Sequence, residues 1–331
     1  MEPLYRTVLS QAWAIVKKTK WLWLFGLFAA FLGNGGEIDV LFQYSKLTNA
    51  PAYLNGLRDS FANLDLNVLK DGVLNALATQ PLLSILYVAI IIIFTLLFLW
   101  LVTVSQGSII YAAATLDADK KTNFRDSLLK GIQKFWPLLG LNLTISFLLY
   151  FILIVLAIPF AAMYMANGSV GAISFITILA FVILIPLTII FSFILKYALA
   201  FVVIKNQSAV SAFRLAWRLF IQNWLISIEM AVILFFINFL IGLALVLLIV
   251  LLALPFVGLA LLMILIQNEV GILIASGFAL IILLILILFT GAGLATFQYS
   301  AWTILFQKLL TGKKYPKLIR LVAGSEKNIN K

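Results

Sequence analysis

Along the chain, long uninterrupted apolar runs alternate with short stretches in which apolar and cationic residues share a helical period. The apolar runs cover residues 21–33 (WLWLFGLFAAFLG), the stretch after Pro81 that includes IIIIFTLLFLWLVTV, the stretch from Trp136 to Pro159 and Phe160, and residues 172–195, 224–256 and 270–306. A bilayer core of about 30 Å needs about 20 helical residues, so most of these runs predict membrane-crossing helices. Three of them are preceded by amphipathic patterns, in YRTVLSQAWAIVKKTKWLW, NFRDSLLKGIQKFWPLL and SAFRLAWRLFIQNWLIS. Each reads as a helix lying in the membrane interface.

Two runs do not fit by length alone. Residues 21–33 are short for a crossing, yet the residues before them are too amphipathic for a signal-peptide n-region, and Ala29 and Ala30 form no A-x-A site. A short, tilted or locally broken crossing is expected there. Residues 225–266 would measure about 63 Å as one helix, enough for two crossings. Charge decides between them. With six crossings and both termini on the cytoplasmic side, that side holds Arg6, Lys17, Lys18, Lys20, Lys120, Lys121, Arg125, Lys130, Lys134, Lys196, Lys205, Arg214, Arg218 and the seven Lys/Arg from Lys308 onward. The opposite side keeps only Lys46, Arg58 and Lys70. A double crossing over 225–266 would carry the C-terminal cations outward and break the positive-inside bias. Trp13, Trp21, Trp23, Trp100, Trp136, Trp217, Trp224 and Trp302 also fall at or near the expected cytoplasmic ends, where indole favours the headgroup level.

The sequence therefore predicts an all-α integral protein of the plasma membrane, with six transmembrane helices arranged as three amphipathic-helix and helical-hairpin units. The boundaries are an interfacial helix over 1–20, a first hairpin over 21–118 with an extracytoplasmic insertion over 34–80, a second interfacial helix and hairpin over 119–205, a third over 206–310, and a basic tail over 311–331. An internal repeat is expected, because VLAIPF at 155–160 is echoed by LLALPF at 251–256, and SQGSIIY at 105–111 by SAWTILF at 300–306. The insertion reads as one or two amphipathic helices on the outer surface, and the tail as a polybasic membrane-surface segment.

Composition agrees and narrows the chemistry. Of 331 residues, 64% are hydrophobic and 11% charged, less than half the roughly 25% usual in soluble domains. The mean hydropathy is +1.15. There is no Cys and no His, which excludes disulfides, thiol nucleophiles, HExxH zinc sites and His-based acid–base catalysis. The net charge of +11 faces a leaflet carrying anionic lipid, so membrane lipid headgroups, and not nucleic acid, are the expected partners. No cofactor or metal motif is present. Asp117 and Asp119, in DADKK, read as turn residues.

Two groups of residues are candidates for function. On the third interfacial helix, Ser211, Arg214, Arg218 and Gln222 share one face, with Val210, Phe213, Trp217, Phe220 and Ile221 on the other. Arg214 and Arg218, one turn apart, either anchor the helix or grip one headgroup together. Lys17, Lys18, Lys130 and Lys134, in the other two units, are further lipid-headgroup candidates. Within the crossings, Glu229 and Lys196 are the ionisable candidates, Glu229 lying about 7–8 Å beyond Trp224. They form an ion pair, snorkel to the interface, or in Glu229's case serve as a coupling carboxylate. Asn142 and Asn238, with Gln106, Thr144, Ser146, Thr188 and Ser192, are neutral polar positions suited to interhelical hydrogen bonds. Small residues at Gly271, Ala275 and Ala279, and at Gly291 and Ala295, are expected to allow close helix packing.

The segments WLWLFGLFAAFLGNGG, AWRLFIQNW and AWTILFQKL resemble the multi-pass membrane domain found beside some glycerophosphodiester phosphodiesterases, and related stand-alone membrane proteins of unknown function. The resemblance is best over about 208–310. It implies the membrane part without the enzyme, because the catalytic barrel of those proteins depends on histidines that this chain lacks. The expected function is accordingly non-enzymatic, organising or binding lipid or a partner protein. The alternative is a secondary transporter or permease of a small solute or lipid, with Glu229 as coupling carboxylate.

Overall fold

The computed structural model describes residues 4–30, 81–165 and 170–312, which form helices and their connections with no strand among them. Eight helices follow one another: α1 (Leu4–Lys18), α2 (Leu22–Ala29), α3 (Pro81–Asp117), α4 (Phe124–Gln133), α5 (Phe135–Met165), α6 (Val170–Lys205), α7 (Ala209–Leu265) and α8 (Glu269–Thr311). Five of them, α3 and α5 to α8, are long and apolar enough to cross a membrane. This is an all-α, multi-pass membrane protein. The first expected crossing is represented by α2, whose eight residues rise about 12 Å. The rest of that run, the insertion, residues 166–169 and nearly all of the tail lie outside the described residues.

The chain forms two compact units, residues 35–101 and residues 1–34 with 102–331. The described part of the smaller unit is the apolar first half of α3.

Each amphipathic segment is set off from the apolar helix after it by a local break. Thr19 and Lys20 separate α1 from α2, Lys134 (φ −102°, ψ 8°) separates α4 from α5, and Asn223 (φ −134°, ψ 27°) interrupts α7. A tryptophan follows within two residues each time: Trp21, Trp136 and Trp224. At Asn223 local hydrogen bonds support the kink. Its Nδ2 donates to Leu219 O at 3.0 Å, and its carbonyl accepts from Ser227 Oγ at 3.0 Å. Beyond it, residues 224–265 run on as one helix containing Pro255 and do not fold back. Pro159 and Pro186 likewise lie inside continuous helices.

A tight connection returns the chain from α7 to α8. Gln267 takes a left-handed conformation (φ 53°), and Asn268 Oδ1 accepts from Gly271 N at 2.9 Å, capping α8. Any side chain at Gly271 would run into Met263. Asp119 is also left-handed (φ 55°), in keeping with the turn expected there.

α8 is the hub, packed against α1, α2, α6 and α7, while α6 also touches α5 and α7. The core gathers residues 102–114, 191–203 and 292–309 with the inner faces of α1, α2, α5 and α7. Its largest fully buried side chains include Tyr197, Phe193, Phe306, Leu22 and Met230. Farther along the hairpin, no described side chain between residues 235 and 291 is buried.

Of the small residues spaced along α8, Gly271 lies against Met263 and Ala295 is buried, while the tightest backbone approach involves α2. Gly291 faces open space, whereas Gly26 of α2 lies directly on Ala292 O and Thr296 Oγ1. There α2 crosses α8 at residues 292–296. Trp23 fills the neighbouring space against Gly293 and Phe289.

Candidate functional site

The third interfacial segment, residues 209–222, is presented by the kink at Asn223. Ser208 caps its start, accepting from Ser211 N at 3.4 Å. Ala212 and Ala216, fully buried, let the helix lie close to the body, with Leu219 and Phe220 completing the inner face. Phe220 thus turns inward, against Phe193 at 5.9 Å, and does not join the lipid-facing aromatics as the sequence suggests. The 3.6 period explains this, since Phe220 falls one turn from Ala216 and eight residues from Ala212. What remains outside is a stripe of Val210, Trp217 and Ile221, all exposed, flanked by exposed Arg214 and Arg218. Apolar side chains and cations side by side on one exposed strip suit a surface where acyl chain meets phosphate.

The matching segments are less free. α1 buries Leu4, Tyr5, Val8, Ala12, Ile15 and Val16, so it packs along α8 instead of lying loosely on the interface. Lys17 and Lys18 stay exposed at its end, and Trp13 is exposed with its ring edge on Phe297. Trp23 Nε1 donates to Val16 O at 3.0 Å, tying α1 to α2. On α4, Lys130 and Lys134 are half-buried, and Lys130 Nζ donates to Gln133 Oε1 at 3.4 Å. The start of α4 is held by Phe124, stacked on Phe25 at 4.7 Å.

The polar candidates within the helices each reach a neighbouring helix. Glu229 accepts a hydrogen bond from Tyr5 OH, linking α7 to the N-terminal helix. Lys196 Nζ sits 4.6 Å from the centre of the Trp302 ring and 5.7 Å from that of Phe193, a cation–π placement between α6 and α8. Asn142 Nδ2 donates to Gln106 Oε1 at 2.9 Å, and Gln106 Nε2 donates to Tyr299 OH at 2.8 Å. This relay, buried at all three residues, connects α5, the second half of α3 and α8. Gln298 Nε2 donates to Asn238 Oδ1 at 2.7 Å, joining α8 to α7. Tyr197 and Ser227 share a hydrogen bond of 2.7 Å between α6 and α7.

Tyr5, Tyr197, Gln298 and Tyr299 are the residues that sequence reasoning passed over. A hint was available for Gln298, an amide amid apolar residues, and for the tyrosines, whose hydroxyls need partners once buried. Among the described residues, no three acidic side chains come together as a metal site would require.

The architecture defines a helical multi-pass membrane protein with polar groups bonded between its helices and, on residues 209–222, an exposed strip of apolar and cationic side chains. The chain belongs to a family of unknown function, DUF7544, whose profile matches residues 13–303. No curated protein and no solved structure matches it.

Proposed function

We propose that this protein is a non-enzymatic, six-crossing module of the plasma membrane, with both termini cytoplasmic, that binds and organises anionic lipid through its interfacial segments. The carrying observation is the exposed strip of Arg214 and Arg218 beside Val210, Trp217 and Ile221. A soluble protein has little use for an exposed tryptophan and two aliphatics beside paired arginines, whereas the headgroup boundary satisfies all five. The concentration of Lys and Arg toward one side supports the orientation. The three breaks, each followed by a tryptophan, support a unit used three times, with Lys17, Lys18, Lys130 and Lys134 as the lesser contacts. The resemblance to membrane domains found beside phosphodiesterases is in keeping with a membrane module that lacks the catalytic part.

The test is lipid retention measured by native mass spectrometry, after equilibration in nanodiscs of mixed phosphatidylglycerol and phosphatidylethanolamine. Each cation near an anionic surface contributes about 1 kcal/mol, so Arg214→Gln with Arg218→Gln is expected to lower phosphatidylglycerol retention about thirtyfold. Unchanged retention rejects the proposal. Proteoliposome solute uptake that is lost in Glu229→Gln would instead make Glu229 a coupling carboxylate, as a transporter requires.

A further inference from the structure

The hairpin of α7 and α8 is longer than a membrane needs. From Trp224, residue 249 lies about 37 Å along the helix and residue 260 about 54 Å. Even at a tilt of about 40°, the upper end of what crossing helices adopt, these become about 29 and 41 Å. The hydrocarbon core is about 30 Å thick. If Trp224 marks the cytoplasmic interface, as the crossing proposed above requires, this part of the hairpin lies at or past the outer edge of the hydrocarbon. Yet residues 230–268 contain no charged residue, and Leu254, Leu261 and Leu265 are exposed.

Between the two helices at this height is an open groove of about 330 Å³. Its walls include Ala253, Phe256 and Ala260 from α7, with Ala279 and Leu283 from α8. The small alanines hollow it out. Ser276 supplies its one hydroxyl, which donates to Leu273 O at 3.1 Å. Pro255, beside it on α7, has no N–H for the Leu251 carbonyl. Apart from that hydroxyl the groove offers a ligand hydrocarbon, at or past the outer edge of the bilayer core if Trp224 marks the cytoplasmic interface.

We infer that this groove seats one acyl chain of an outer-leaflet lipid, drawn outward along the hairpin. A lipid chain fits better than a second copy of this protein, because a helix about 10 Å across is too wide for a slot at the small end of ligand-pocket volumes. The source is the adjoining leaflet, the nearest supply of unbranched hydrocarbon.

The experiment uses the full chain in vesicles of phosphatidylethanolamine and phosphatidylglycerol that contain a phospholipid with a diazirine at the end of one acyl chain. After photolysis, adducts are mapped by peptide mass spectrometry. Adducts are expected to concentrate on residues 249–260 and 276–286 relative to the lipid-facing residues 147–155 of α5. Filling the groove with Ala253→Phe and Ala279→Phe is expected to reduce them about tenfold, with the α5 adducts unchanged as an internal control for folding. An even distribution over both regions in the unaltered protein overturns the proposal, leaving bulk lipid contact only. Because the chain has no cysteine, Ala260→Cys provides a second readout. A disulfide-linked dimer formed in high yield would place another copy in the groove and overturn the lipid assignment. Adduct mapping does not depend on Arg214 or Arg218, so failure of the headgroup proposal and failure of this one are distinguishable.

Discussion

The two ends of the α7–α8 hairpin are built from similar residues but on different principles. Near Met230 and Ile304 the side chains are fully buried, and α8 is surrounded by α1, α2, α6 and α7. Near Val250 and Leu284 the same kinds of aliphatic residue are exposed. Hydropathy does not separate the two regions, because lipid is as good a solvent for leucine as the protein interior is. What separates them is polarity. Gln106, Asn142, Tyr197, Ser227, Asn238, Gln298 and Tyr299 all belong to the packed end, and each links two helices. In a membrane, helix association draws on close van der Waals fit and on such hydrogen bonds, and hydrophobic burial adds little. The packed end has both, whereas among the described residues the far arms meet closely at the tight connection, where Gly271 faces Met263, and the side chains along the rest are not buried.

Substitutions at the packed end should therefore cost most, and the largest loss is expected at Gly26. A leucine there must displace the α8 backbone at Ala292, which no side-chain rotation relieves. Gly26→Leu is expected to destabilise by about 3 kcal/mol or more, measured as a lowered midpoint in SDS unfolding. If the midpoint does not move, α2 does not cross α8 closely and the packed end has been misjudged.

The buried relay comes next. Gln106→Leu removes the acceptor used by Asn142 and the donor used by Tyr299, leaving the Tyr299 hydroxyl in the core without that donor while Asn142 Nδ2 keeps its bond to Leu138 O. A loss of about 1–3 kcal/mol is expected. Combining it with Tyr299→Phe should cost less than the sum of the two single changes, because the hydroxyl left stranded by the first is removed by the second. Strict additivity would show that the relay is not coupled.

A smaller effect is expected at the contact between α1 and α7. Tyr5→Phe removes the hydroxyl that reaches Glu229. Measured intramembrane hydrogen bonds average about 0.6 kcal/mol, so global unfolding should barely change. Faster amide exchange over residues 4–18, with the rest of the bundle unaffected, is the expected outcome. Equal exchange in both proteins would show that the Tyr5 hydroxyl does not help to hold α1 in place.

How much of this was legible beforehand follows the range of each interaction. The apolar helices, the amphipathic segments and the break before Trp224 are local features, set by side-chain period and length within a single stretch of chain. Asn142, Asn238 and Gln106 were identifiable as interhelical bonding groups because an amide in an apolar run needs a partner somewhere. Their partners were not identifiable, since Asn142 meets Gln106 from 36 residues away and Gln106 meets Tyr299 from 193. Phe220 was placed on the lipid side because a helix with two apolar faces gives no local cue as to which one meets protein. The importance of α2 was missed for a related reason. Residues 21–33 read as a short crossing by their hydropathy, but no local pattern says that Gly26 is where the backbone of α8 comes closest.

The smallest expected effect, and the one that most sharply separates the two ends, is at the glycines of the far arms. Gly258 and Gly277 have nothing within 4 Å of where a Cβ would stand, whereas a Cβ at Gly107 would come within 2.6 Å of Leu138 Cδ1. In water, glycine inside a helix costs about 0.5–1 kcal/mol relative to alanine because the unfolded chain loses more backbone freedom. In a bilayer the helix persists before the helices associate, so most of that entropy is not at stake in assembly. Gly258→Ala and Gly277→Ala should therefore shift the SDS midpoint by no more than about 0.5 kcal/mol, in either direction. Gly107→Ala, the same chemical change at the packed end, should cost more, because Leu138 has to move. If the two arm variants cost as much as Gly107→Ala, some other surface approaches these glycines in the membrane, and the arms are packed after all.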